Sequence, residues 1–291
     1  MSGNRGAVEI AGVTLRYVVE GAGLPLLVVG SSIYYPRTFS KRLRESCTLI
    51  CADVPHFVPA GAEFNPACIN FDFYAQCVEA VRTDAGIGRV VIVGHSHHGN
   101  IALEYARRHP GNVSHVVVIG SPPADIATTV QCAEQYWDTH ATAERKAALQ
   151  RRRRTSVKEE DASRSPSESY VRQYVTDAPL YWNDPDYDAS WLWDGMSFSM
   201  DAVSAFRDLY RSYELNWDDA LCRIPVLVVM GANDFAVPHT LWSSLLPDLA
   251  NVTFRLLEHA GHTPQLEQPE EFDHCLLNWL SIEGPTNSRS T

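Results

Sequence analysis

The sequence predicts an α/β fold with a mostly parallel central sheet, flanking helices and an inserted helical lid. Short, continuous apolar runs, typical of strands buried on both faces, alternate with segments of helical spacing. The clearest runs are 24–30, 47–55, 89–94 and 115–120, and helical spacing occurs in 71–85 and 97–109. This alternation is typical of a parallel sheet with right-handed crossovers. The runs stop near residue 122 and resume only at 224–231 and 252–258, which indicates an insertion.

The predicted organisation is therefore one core that is interrupted once. We expect residues 1–121 and 216–282 to form the core, which begins with a hairpin at 7–19 and ends with a helix at about 269–281. Residues 122–215 would form the lid, because an insertion at the carboxyl edge of an open sheet lies over the ligand site. Within it, 155–168 is polar and serine-rich, which predicts a mobile loop, and the tail 283–291 is expected to be disordered.

Composition and charge narrow the class of function. The chain has 291 residues, 45% of them hydrophobic, and a net charge of −11, which argues against general nucleic-acid binding. It contains no stretch of about 18 apolar residues and no apolar signal core, so we expect no membrane span. The seven cysteines are odd in number and form no CxxC pair. This pattern favours reduced, mostly buried thiols in a cytoplasmic protein over a disulfide framework or a zinc site.

One segment has the pattern of a nucleophile turn. The strand VVIV runs into Gly94-His95-Ser96, and a predicted helix follows at once. A sharp strand-to-helix turn raises the serine hydroxyl above the sheet. The free N–H groups and the dipole at the start of the helix stabilise an oxyanion formed when the serine attacks a carbonyl.

Two later segments follow predicted strands in the same way. Ala232-Asn233-Asp234-Phe235-Ala236-Val237-Pro238 comes after 224–231, and Glu258-His259-Ala260-Gly261-His262 comes after 252–258. Together with the serine turn, these segments resemble the α/β-hydrolase family over about 1–121 and 216–282. The resemblance implies a triad with Ser96 as nucleophile, His262 as general base and Asp234 as the acid that orients the imidazole. Asp125 is an alternative acid, whereas His259 is interpreted as a bystander.

The elbow and the oxyanion turn depart from the family pattern. His98 stands where the family has its second glycine, and Gly99 follows one residue later. Either the elbow is slightly opened, or the imidazole turns sideways into a gap. The resemblance makes the backbone N–H of His97 one oxyanion donor. The second donor, from the turn after 24–30, would be Ser31 or Ser32, since the usual histidine is absent.

The loop 53–57 also replaces the family's glycine-rich sequence, which predicts an unusual, imidazole-bearing pocket. We expect no cofactor; a zinc site is the rival explanation for the histidines, although no carboxylate spacing supports it. Aromatic residues of the lid favour a small-molecule substrate with an apolar or aromatic part. The candidate pocket residues are Tyr34, His56, His98, Trp137, Trp182 and Trp191.

The expected reaction is acyl transfer to water, with an ester, a lactone or a small amide as substrate. The segments 120–123 and 136–149 resemble proline iminopeptidase-like hydrolases, which implies an aminopeptidase as an alternative, with an amino terminus bound by lid carboxylates. Candidates for these carboxylates are Glu159, Glu160, Asp161, Asp184, Asp186 and Asp188. Hydrolytic carbon–carbon cleavage and small-molecule binding without turnover remain open, and so does the oligomeric state.

Overall fold

The central sheet has eight strands and is mostly parallel. The computed structural model describes residues 4–58, 64–158 and 164–283. The strands are β1 (Asn4–Ile10), β2 (Val13–Gly21), β3 (Leu24–Gly30), β4 (Cys47–Asp53), β5 (Val90–His95), β6 (Val113–Ile119), β7 (Val226–Gly231) and β8 (Val252–Leu257). Their order is β1-β2-β4-β3-β5-β6-β7-β8. Strand β2 is antiparallel to β1 and to β4, and the remaining pairs are parallel. The predicted fold class is confirmed.

Helices cover the sheet, and several of them come between β6 and β7 along the chain. They are α1 (Leu43–Ser46), α2 (Phe71–Asp84), α3 (His97–Arg108), α4 (Ile126–His140), α5 (Ala143–Lys158), α6 (Pro166–Thr176), α7 (Ala178–Tyr181), α8 (Met200–Leu209), α9 (Pro264–Glu267) and α10 (Pro269–Glu283). Helices α4 to α8 all lie between β6 and β7, and we call this part of the chain the inserted segment. That this segment acts as a lid, with limits at 122 and 215, stays a prediction.

The central strands are apolar on both faces because each face has its own core. In β5, Val90 and Ile92 pack with α2 and α3, whereas Val91 and Val93 pack on the other face with α10. Successive side chains of a strand point to opposite faces, so a strand covered on both sides must be apolar throughout. This burial explains why the sequence shows continuous apolar runs.

The prediction of a loop over 155–168 is wrong at both ends. Helix α5 continues to Lys158, and α6 begins at Pro166, while 159–163 lies outside the described residues. Ser165 caps α6 through a capping box with Glu168, in which each side chain bonds the other's backbone N–H. A serine-rich, charged composition is therefore compatible with a solvated, well-capped helix. The predicted tail also falls outside the described residues, apart from Glu283 at the end of α10.

The seven cysteines are unpaired, but they are not mostly buried. Three of them are buried, and Cys68 and Cys222 are exposed. In the described part of the chain, no helix is long and apolar enough to cross a membrane.

Candidate active site

Ser96 occupies a strained turn between β5 and α3. Its φ is +56° and its ψ is −141°, in a region that non-glycine residues rarely adopt. Such a conformation costs about 1–3 kcal/mol and persists only where neighbouring structure enforces it. Here the N–H of Ser96 donates to the carbonyl of Ile119 at the end of β6 (2.8 Å), and its carbonyl accepts from the N–H of Gly99 (2.9 Å). The turn is therefore held between the sheet and the first turn of α3.

Two glycines explain how the altered elbow closes. A Cβ on Gly94 would lie 2.3 Å from the carbonyl oxygen of His98, and one on Gly99 would lie 2.0 Å from Oγ of Ser121. Gly99 thus provides the close contact between helix and sheet. The side chain of His98 turns sideways and lies over Gly30, where an added Cβ would be 2.8 Å from its Nδ1. Of the two expected arrangements, the structure has the imidazole in a gap.

The candidate base and acid are in contact. Nδ1 of His262 lies 2.7 Å from Oδ2 of Asp234, and the Asp234 side chain is fully buried. Oδ1 of Asp234 accepts from the N–H groups of Ala236 (3.0 Å) and Val237 (2.8 Å), which fixes the carboxylate. Because a carboxylate accepts from the Nδ1–H, the lone pair of His262 is on Nε2. That is the nitrogen a general base needs free.

The inserted segment is bonded to both of these turns. The N–H of His262 donates to the carbonyl of Tyr181 (2.5 Å), and the N–H of Phe235, beside the acid, donates to the carbonyl of Leu180 (2.9 Å). A Cβ on Gly261 would lie 2.3 Å from the carbonyl of Tyr181, so a glycine before the base permits this approach.

A carboxylate, Glu267, also holds the loop around the base. Oε1 accepts from the N–H of Gly261 (3.0 Å) and of Thr263 (3.2 Å), and Oε2 accepts from that of Asn183 in the inserted segment (2.7 Å). Burial raises the pKa of Glu267 to about 7, against the opposing effect of these three donors. Nothing in the local sequence singles out this glutamate, because its role depends on the fold.

A cavity of about 390 Å³ joins the candidate residues. Ser96 and His262 both line it, with the predicted Tyr34, His56, His98 and Trp182. This volume suits a small molecule. The N–H of His97 lies at the start of α3, and the side chain of His97 also lines the cavity.

Apart from Asp234, which contacts His262, four of the predicted site residues are not among those that line the cavity. The Trp137 ring packs against Phe235, and Trp191 is 40% exposed. Ser31 is buried, and its Oγ accepts from the N–H of Tyr34 (3.1 Å). The N–H of Ser32 donates to Asp53 (2.7 Å), which leaves Ser31 as the better candidate for the second oxyanion donor.

Behind the cavity, five buried side chains form a continuous hydrogen-bonded chain that ends at the base. We call it the imidazole–phenol chain. The contacts are Tyr74 OH to His56 Nδ1 (2.7 Å), His56 Nε2 to His98 Nε2 (3.1 Å), His98 Nδ1 to Tyr35 OH (2.8 Å), Tyr35 OH to His95 Nδ1 (3.3 Å) and His95 Nε2 to the carbonyl of His262 (2.8 Å). The sequence predicted imidazoles here, but it did not indicate that Tyr35, Tyr74 or His95 would connect them.

The imidazoles of this chain are neutral. Burial lowers the pKa of His56 and His95 well below the usual range and lowers that of His98 to about 3. A neutral imidazole has one donor and one acceptor nitrogen, so the terminal carbonyl fixes the direction of every bond. His95 Nε2–H must donate to that carbonyl, which makes His95 Nδ1 the acceptor for Tyr35 O–H. Following the same rule, His98 donates from Nδ1, His56 donates from Nε2, and Tyr74 donates to His56. This arrangement alone satisfies all five contacts.

No group of three histidine, cysteine, aspartate or glutamate side chains in the described residues is arranged to hold a metal ion.

Comparison with known proteins agrees with this architecture. The model of the family described as alpha/beta hydrolase fold matches residues 22–269. The AB hydrolase superfamily protein YclE of Bacillus subtilis is 30% identical over 275 residues, which cover 92% of this chain and 96% of that protein. A thermophilic esterase from Thermogutta terrifontis has a similar fold, with a TM-score of 0.68, 18% identity, and coverage of 96% of this chain and 100% of that one.

The fold and the family match define the class: the chain belongs to the α/β-hydrolase fold family and is a hydrolase. The family membership implies a small-molecule substrate.

Proposed function

We propose that this protein is a serine hydrolase that forms an acyl-enzyme on Ser96. The observation that carries the proposal is the 2.7 Å contact between His262 Nδ1 and Asp234 Oδ2, because His262 lines the same cavity as Ser96. Nucleophile, base and acid come from the ends of β5, β8 and β7, which meet at one edge of the sheet.

The mechanism follows from this arrangement. Ser96 Oγ attacks the substrate carbonyl while His262 Nε2 accepts the hydroxyl proton, and Asp234 stabilises the imidazolium that results. The oxyanion accepts hydrogen bonds from the N–H of His97 and from that of Ser31. His262 then gives its proton to the leaving oxygen or nitrogen, and the bond to the leaving group breaks. Water, deprotonated by His262, attacks the acyl-enzyme and releases the acid and free Ser96.

The lining of the cavity favours an ester, a lactone or a small amide with an apolar or aromatic part as the substrate. Its walls are rich in aromatic side chains, and the inserted segment contributes Tyr170, Tyr174, Tyr181, Trp193 and Phe206. No aspartate or glutamate is among the described residues that line it. The aminopeptidase alternative is therefore not supported, because a bound amino terminus needs a counter-charge.

Of the carboxylates that the sequence suggested for an amino terminus, the three that lie in described residues are not among those that line the cavity. Asp186 pairs with Arg151 on the surface (2.8 Å). Asp184 and Asp188 are exposed and are not among the lining residues, and Glu159, Glu160 and Asp161 lie outside the described residues.

A fluorophosphonate probe tests the nucleophile. We expect the folded protein to be labelled at Ser96 and the Ser96→Ala variant to lose the label. Ser281→Ala, a change at an exposed serine of α10, is the matched control and should label normally. Folded protein that does not react with the probe would instead favour small-molecule binding without turnover.

Steady-state kinetics test the base. With p-nitrophenyl esters we expect His262→Ala to lower kcat by about 10⁴-fold or more, as removal of a triad member does. Near-normal turnover of this variant would contradict the role given to His262.

The unpaired thiols support a reducing compartment such as the cytoplasm for this activity. Two exposed thiols, Cys68 and Cys222, would be open to oxidation elsewhere. Retention of activity in glutathione at the cytosolic poise, with loss under oxidants, is the expected result.

A further inference from the structure

The wall of the cavity carries a single permanent charge among the described residues, and that charge is positive. Of the residues that the structure describes, Arg207 is the only arginine, lysine, aspartate or glutamate that lines the cavity. It lies in the last turn of α8, beside Phe206, and its side chain is exposed at this wall.

Arg207 has no partner in the described part of the chain. Neighbouring arginines of the inserted segment are paired: Arg153 with Asp177 (2.7 Å) and Arg145 with the carbonyls of Pro179 and Trp182 (both 2.8 Å). No hydrogen bond or ion pair engages the Arg207 guanidinium there. All its guanidinium donors are therefore available to a ligand.

The charge of Arg207 acts inside the cavity as well as at its rim. The pKa of His97, beside the nucleophile, is lowered to about 4 by burial first, then by His262 and by Arg207. Arg207 also opposes the rise in pKa that burial causes for Tyr170 and Tyr181. Aromatic walls reduce screening by water, so the guanidinium attracts an anion more strongly here than on an open surface.

A second donor lines the same cavity, from α6. The hydroxyl of Tyr170 donates to that of Tyr174 (3.2 Å), which leaves the proton of Tyr174 free for another acceptor. Both tyrosines line the cavity. An anionic group would thus meet a cation and a neutral hydroxyl, whereas an ammonium group would meet an uncompensated positive charge.

We propose that the substrate of this hydrolase carries a carboxylate, away from the scissile bond, that binds to Arg207. The inference rests on the proposed function and names its substrate class: a small ester, lactone or amide with an anionic substituent on an apolar or aromatic frame. The guanidinium is planar and matches the two oxygens of a carboxylate.

Paired rigid esters test the proposal on each side of the scissile bond. One pair is para-acetoxybenzoate and its methyl ester, with the charge on the leaving group. The other is mono-para-nitrophenyl terephthalate and its methyl ester, with the charge on the acyl group. The measured quantity is the ratio of kcat/KM, anionic over neutral, for wild type, Arg207→Met and Arg207→Lys. Arg211→Met is the control, because Arg211 follows α8, pairs with Asp208 (2.6 Å) and is not among the lining residues.

In at least one pair, we expect Arg207→Met to lower the ratio about tenfold, which is the effect of losing one charge-assisted contact at an exposed site. Arg207→Lys should keep a ratio above that of the methionine variant, and Arg211→Met should leave it unchanged. Added salt should lower the wild-type ratio more than that of Arg207→Met. An equal ratio in wild type and Arg207→Met for both pairs overturns the proposal, even if the variant has a lower Tm.

Binding without turnover separates this inference from the proposed function. In the Ser96→Ala background, calorimetry should show tighter binding of the anionic ester, lost when Arg207→Met is added. If wild type hydrolyses neither ester but Ser96→Ala shows this preference, the anion contact stands and the serine hydrolase fails. If Ser96→Ala binds both esters equally and wild type hydrolyses them normally, the serine hydrolase stands and the anion contact at Arg207 fails.

Discussion

Removal of the Tyr35 hydroxyl is a small change that interrupts the imidazole–phenol chain in its interior. Tyr35 is 3% exposed, and its hydroxyl accepts from His98 Nδ1–H and donates to His95 Nδ1. Tyr35→Phe keeps the ring and leaves both of these buried nitrogens unpaired. An unpaired buried polar group costs about 1–3 kcal/mol, so we expect the free energy of unfolding to fall by about 2–6 kcal/mol.

Tyr74→Phe is the matched comparison, because Tyr74 ends the same chain. Its loss leaves only His56 Nδ1 unpaired, at a cost of about 1–3 kcal/mol. Tyr35→Phe should therefore be about twice as destabilising as Tyr74→Phe. Urea unfolding of both variants at one pH measures this ratio, provided that the slope m is the same as in wild type.

The ratio of the two losses in unfolding free energy depends on the direction of the hydrogen bonds in the imidazole–phenol chain. If the hydrogen bonds ran in the reverse direction, the hydroxyl of Tyr35 would donate to His98, and His95 Nδ1 would already be unpaired in the wild type. Tyr35→Phe would then lower the free energy of unfolding no more than Tyr74→Phe does. Equal losses in the two variants would therefore refute the assigned direction. Nitrogen NMR of the histidines gives an independent reading, and a proton on Nε2 of His98 would contradict it as well.

Three further substitutions test the site and its surroundings. In Asp234→Asn, Oδ1 still accepts from the backbone, but the amide donates to His262 and imposes the wrong tautomer, so kcat should fall about 10⁴-fold with the fold intact; near-normal turnover would argue against the triad. The pKa of Glu267 is raised from 4.5 to about 7, so between these values the native state binds a proton that the unfolded state lacks, and wild-type stability declines as pH rises through this window. Denaturant unfolding at several pH values should show a smaller decline in Glu267→Gln. The same dependence of stability on pH in both proteins would contradict the assignment. Gly99→Ala places a Cβ 2.0 Å from Oγ of Ser121 and should lower Tm by several degrees, whereas an unchanged Tm would mean that the elbow relaxes freely.

The sheet could be predicted from the sequence because its signal is local. A strand covered on both faces needs an unbroken apolar run, and β5 and β7 show one directly. The turns at Ser96, Asp234 and His262 were predictable for a related reason, since each follows such a strand and matches a family motif. Convergence of those three turns at one edge of the sheet follows from the parallel topology.

Other features depend on contacts between distant residues, and the sequence does not encode them locally. The orientation of His98 was undecided until the space over Gly30 was known. Trp137 and Trp191 were chosen because aromatics favour pockets, but composition does not say which way a ring faces. Arg207 has the position of an ordinary basic residue near a helix C-terminus, where it is favourable without any ligand.

The inserted segment contributes to the positions of Asp234 and His262, two members of the proposed triad. Between Leu180 and Asn183 it accepts from the backbone beside Asp234, accepts from the N–H of His262, and donates to Glu267, which in turn holds both neighbours of His262. These contacts bridge the turns after β7 and β8, whose side chains must stay 2.7 Å apart. A motion that carried 180–183 away from the core would break the bond to the base itself. Changes in access to Ser96 that leave the base in place must therefore come from the other helices of the segment, such as α6 and α8, whose side chains line the cavity.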